Sequence, residues 1–133
     1  MEENSVKRTA LSAGLVIYEA LSEDSNVRDR VKAIYPVLSD SAELPCIYYR
    51  RASLTGIPVK DGAPARGAEI EIYCLSSDYA ESVEIAEAVR ACFENQQIWG
   101  TCGLYVRNCV LADAVEDWQD DTFIQSLIFN LSI

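Results

Sequence analysis

The sequence predicts an α+β domain, a two-layer sandwich in which a mostly antiparallel sheet of about five strands carries two helices on one face. Three observations lead there. Residues 67–95 read as a strand feeding directly into an amphipathic helix. A second helical period runs through residues 4–22. Residues 104–115 read as a strand, and beyond an acidic turn residues 123–133 alternate apolar and polar side chains, the pattern of a long hairpin. Helices that share one face of such a sheet bury their apolar stripes against it.

In chain order, the first helix, residues 4–22, sets Val6, Ala10, Ala13, Ile17, Tyr18 and Leu21 on one face and Arg8, Ser12 and Glu19 on the other. Leu15 and Val16 intrude on the polar side, where they meet a loop or a neighbouring subunit. The polar stretch EDSNVRDR then leads to a short strand over residues 31–35, closed by Pro36. A second strand runs from Pro45 to about Ser53, with Cys46, Tyr48 and Arg50 on one side and Ile47, Tyr49 and Arg51 on the other. Neither side is cleanly apolar, which suits an exposed or interfacial strand. Gly56, Pro58, Gly62 and Pro64 punctuate a mobile loop at about residues 54–66, read as a flexible connection or a contact arm.

The next strand alternates Ala68, Ile70, Ile72 and Cys74 with Glu69, Glu71 and Tyr73. Asp78, with Glu81 three residues on, is a capping box for the helix that follows. That helix turns Tyr79, Ile85, Ala86, Val89, Cys92 and Phe93 inward and Glu81, Glu84, Glu87 and Glu94 to water. In the turn-rich residues 95–103, Trp99 is expected to plug the helix end. A strand over residues 104–115, an acidic turn over residues 116–121 and a last strand over residues 123–133 complete one domain spanning residues 1–133.

A chain of 133 residues, half of them hydrophobic, supports one core without disulfide or metal. The five cysteines lack C-x-x-C spacing, and with no histidine in the chain no Cys/His zinc site and no imidazole catalysis can be assembled. No phosphate-binding glycine loop occurs. Asp113, Glu116, Asp117, Asp120 and Asp121 cluster near one turn, but without the ordered alternation of a calcium loop. The expectation is therefore no enzyme, no catalytic residue, no cofactor and no metal. Charge is lopsided: residues 1–66 hold nine Lys/Arg and nine Asp/Glu, residues 67–133 two and twelve. Such an acidic chain is not expected to grip DNA. Nor does any apolar run approach the length of a membrane span.

The run DYAESVEIAEAVRA with its preceding strand, the Ala33-Ile34-Tyr35-Pro36 run within residues 21–36, LPCIYYR at residues 44–50 and the closing residues 121–133 together resemble one family. It is that of the bacteriophage and prophage tail-completion proteins, the tail terminators of head–tail joining. The resemblance implies the same two-layer α+β fold and a ring, a homo-oligomer of about six copies. Such a ring caps the head-proximal end of the tail tube, stops its growth and docks the head connector. The implied partners are other copies of the chain, the tail tube protein and the head-connector or completion protein, with DNA passing through unbound and no membrane involved. The implied location is the virion tail or neck, after synthesis in the bacterial host cytoplasm.

Arg50, Arg51, Lys60 and Arg66 stand out as a basic strand and loop in an acidic chain, and are the candidate tube or subunit contacts. The acidic second half is expected on the lumen or an exposed face, where six copies at −10 each would present −60 to passing DNA. The competing readings are a small-ligand or regulatory α+β module and a ring component of a related tail-like injection machine.

Overall fold

The computed structural model describes residues 6–37, 43–55 and 66–133. Its main sheet has five strands in the order β1-β2-β3-β7-β6, formed by β1 (Ala33–Pro36), β2 (Cys46–Thr55), β3 (Gly67–Ser76), β6 (Asn108–Gln119) and β7 (Thr122–Ser132). Every pairing is antiparallel except β1 with β2. A separate hairpin joins β4 (Ile98–Trp99) to β5 (Tyr105–Val106). Helices α1 (Ala13–Glu23) and α3 (Tyr79–Phe93), with the short α2 (Ser25–Arg28), cover one sheet face. This is the α+β sandwich that the sequence predicts. No helix among the described residues is long and apolar enough to cross a membrane.

The core forms where sheet alternation meets helical period. Ala68, Ile70, Ile72 and Cys74 of β3 are all buried, and so are Leu127, Phe129 and Leu131 of β7 beside them. Onto this floor α3 lowers Ile85, Val89 and Phe93, and α1 lowers Ala13, Val16, Ile17 and Leu21. The rings of Phe93 and Phe129 lie 5.6 Å apart between the layers. Asp78 caps α3, its carboxylate accepting from the Glu81 amide at 2.9 Å. The expected reciprocal bond is relayed: the Ser76 hydroxyl accepts from the Asp78 amide and donates to the Glu81 carboxylate.

Several expectations are corrected. The expected helix starts later among the described residues: residues 6–9 are not helical, and a 3₁₀ turn, Ala10–Ser12, opens it because extended Thr9 accepts from the Leu11 amide and starts the turn there. Relative to the expected face, α1 is rotated, with Val16 buried and Tyr18 half-exposed. Within EDSNVRDR, Asp24 caps α2 and Val27 enters the core. β2 runs on to Thr55, past a bulge between Arg51 and Ser53. The residue 104–115 strand is two: Arg107 donates its amide to Ser132 and separates β5 from β6. The acidic turn contracts to Asp120 and Asp121, whose φ angles of 53° and 60° make the two-residue turn matched to strand twist. Trp99 plugs nothing. It is 73% exposed and stacks on Tyr105 at 3.8 Å.

Truncating the inter-layer contact should be costly. Phe93→Ala is expected to lower unfolding stability by about 3–5 kcal/mol, read from the shift of the urea midpoint at unchanged slope.

Candidate interaction surface

Arg50 and Arg51 are neighbours in sequence and leave β2 on opposite faces. Register decides this: Arg50 lies opposite Glu71 on the face that no helix covers, whereas Arg51 lies opposite Ile70 on the helix face. The four candidate cations therefore do not form one patch. Arg50 Nε donates to Glu71 Oε1 at 2.7 Å, and the Tyr73 hydroxyl donates to the same oxygen. Tyr73 stacks on Tyr48 with ring centroids 4.4 Å apart. The hydrogen bond from Arg50, then that from Tyr73, holds the Glu71 carboxyl below the usual carboxylate range.

Arg51 reaches over the sheet edge to the 3₁₀ turn, donating to the Leu11 carbonyl at 2.8 Å. Arg66 is exposed at the foot of β3, where its carbonyl accepts from the amide of Ile133. Lys60 and most of the loop at residues 54–66 lie outside the described residues, though Leu54 and Thr55 belong to β2.

Around Arg51 lies a feature that charge counting missed. Between the 3₁₀ turn, α1, β1 and β2 runs a groove of about 790 Å³, floored by Ile34, Pro36 and Tyr49 and walled by Leu11, Leu15 and Tyr18. Leu11 is 60% and Leu15 52% exposed. Part of the signal was present in the sequence as Leu15, one of the two extra apolar positions on the polar side of the first helix; the other, Val16, is core.

At the opposite edge of the sheet stands the β6–β7 hairpin. From Ala112 to Gln119, β6 is exposed on both faces. Trp118 is 55% exposed, and the only charged residues of the hairpin are Asp113, Glu116, Asp117, Asp120 and Asp121. Strand alternation turns Asp113 and Asp117 to one face and Glu116 to the other, so the acids do not converge. Among the described residues no three acids or cysteines gather as metal ligands. Tyr79 fixes the hairpin to the start of α3, its hydroxyl donating to Glu116 at 2.8 Å and its ring meeting Phe123 edge-on at 5.5 Å. Burial raises the thiols of Cys46 and Cys74 and pushes those of Cys92 and Cys109 up to about 12, which leaves them protonated and unreactive at neutral pH.

The lowered Glu71 carboxyl has a signed consequence. Its bonds stabilise the fold above the unfolded carboxyl pKa, and that contribution is lost as pH falls through the lower folded value. Glu71→Gln should therefore flatten the acid limb of the stability profile below about pH 4.5, the usual carboxylate range, as followed by urea midpoints across pH.

No protein-family model and no curated protein sequence matches the chain. Solved structures do. A chain from the virion of a native gene transfer agent particle superposes with a TM-score of 0.72 at 18% identity, covering 93% of this chain and 98% of that one. The bacteriophage SPP1 gp17 protein superposes with a TM-score of 0.57 at 13% identity, covering 100% of this chain and 96% of its own. At such identities the likeness is one of fold: from end to end, this chain is built as these phage and gene-transfer-agent proteins are built.

Proposed function

We propose that this chain is a structural virion assembly protein of the tail-terminator kind, one that forms a ring on the head-proximal end of a tail tube, stops its growth and offers a face to the head connector. The observation that carries this reading is the near end-to-end likeness of fold to a protein of an assembled virion particle. Such work needs two surfaces, one closing the ring and one matching the tube, and no catalytic group.

The candidate cations divide accordingly. Arg66, with Lys60 six residues before it in sequence, is assigned to the tube; Arg51, on the groove, to the subunit contact; and Arg50 to holding Glu71 on the uncovered sheet face. That face also carries Glu69 and Asp113. Lining a lumen with these acids lets DNA slide past without adhering, since phosphates and carboxylates repel.

Native mass spectrometry with negative-stain microscopy of the concentrated protein tests the ring, and closed particles of about six subunits are expected. Added to polymerising tube protein from the same particle, the chain should arrest growth at a fixed end. Lys60→Ser with Arg66→Ser should weaken that attachment while leaving the subunit count unchanged. Failure to cap or bind tubes would overturn the reading.

A further inference from the structure

The groove beside Arg51 and the hairpin ending in Trp118 lie at opposite edges of one sheet, with complementary chemistry. The groove is apolar with one basic side chain: Leu11, Leu15, Tyr18 and Val37 line it, together with Arg51. The hairpin is acidic, with Asp120 and Asp121 as its turn, and beside that turn Trp118 stands half-exposed among five carboxylates without one Lys or Arg. We infer that the hairpin of one copy of this chain seats in the groove of the next, with Trp118 as its anchor.

This inference deepens the proposed ring by naming its subunit contact, and it rests on that reading. Three features of the molecule carry it. The first is charge: the hairpin lies in the half of the chain with two bases and twelve acids, and the charged side chain that the described groove presents, Arg51, comes from the other half. Opposite potentials steer and orient the encounter.

The second is the anchor. Tryptophan supplies a large contact area at small entropic cost and dominates many interfaces when it fills a pocket. Here it is presented on a strand already clamped to α3 by Tyr79 through Glu116 and Phe123, so seating it orders little that was loose. The groove's volume of about 790 Å³ leaves room for the indole and its neighbours on the strand.

The third is topology. β1 and β2 bound the groove and β6 bounds the hairpin, with β3 and β7 between them. Two complementary patches on opposite edges of a subunit cannot satisfy each other within it, nor in a two-fold pair that uses only one of them. In the proposed ring each hairpin seats in the next groove, a head-to-tail contact that either closes or runs on as a filament, whereas a reciprocal two-fold pair would have to lay two whole sheets across one another to use both patches at once.

Two exposed substitutions test the contact without entering the core: Trp118→Ala removes the anchor, and Leu15→Glu blocks the groove. Circular dichroism and melting temperature should show both variants folded. Wild-type chain should oligomerise in native mass spectrometry, more weakly as sodium chloride rises. Each variant alone should fall to monomer, with a subunit dissociation constant raised roughly 30-fold or more, the loss expected of an interface anchor.

Mixed in equal amounts, the two variants should recover dimers containing one of each and nothing larger. Each dimer holds one intact hairpin in one intact groove and presents only defective surfaces outward. If either variant oligomerises like wild type, or if the mixture stays monomeric, the contact is overturned while the ring stands. A wild-type chain that stays monomeric at every concentration overturns this contact; only failure to cap tubes overturns the ring reading itself.

Discussion

Strand β3 is the constraint from which the rest of the molecule follows. It pairs along its whole length with β2 on one side and β7 on the other. Its inner row Ala68, Ile70, Ile72 and Cys74 is the floor on which α3 rests. At its first residue the fit is so close that a Cβ on Gly67 would stand 2.7 Å from the Leu131 carbonyl and collide with the Thr55 side chain. A strand paired on both sides and buried on one face has no edge left to offer a partner, only its outer face. What the domain does must therefore be done by its margins: the outer edges, the bare sheet face and the ends of the hairpins.

Legibility followed the same division. Where one face is core, hydrophobic period and structure agree, because a slip of one residue in β3 would expose every apolar side chain at once. The strand–helix unit and the closing strand were therefore readable from residues alone. At the margins the period weakens. Arg107 turns the chain from a two-stranded hairpin into the main sheet, and the sequence marks the place only by Asn108 interrupting the apolar side. α2 is one capped turn around buried Val27, too short for any helical period to show. A stacked and exposed Trp99 has the same composition as a buried one, and only tertiary placement distinguishes them.

The interaction surface was half visible. Its charges were countable, but charge counting treats Arg50 and Arg51 as one patch, whereas the two-residue repeat of a strand sends them to opposite faces. One closes a network with Glu71 and Tyr73, the other a bond to the Leu11 carbonyl. The groove itself joins residues from three separated stretches of chain. No local pattern announces such a place, and only Leu15, an extra apolar position on the polar side of the first helix, hinted at it.

The free edge of β6 has a bearing on how copies avoid the wrong partner. A long strand with unpaired amides and carbonyls invites its own duplicate to lie alongside, the first step towards amorphous or fibrous aggregation. Here the invitation is withdrawn by sign. In a parallel in-register pair of identical strands Asp113, Glu116 and Asp117 would each face its own image, and in an antiparallel pair centred on Val115 Asp113 would lie opposite Asp117. Like charges brought opposite one another oppose such pairing. The free edge of the hairpin thus discourages a second copy of itself and leaves pairing there to a surface of unlike charge.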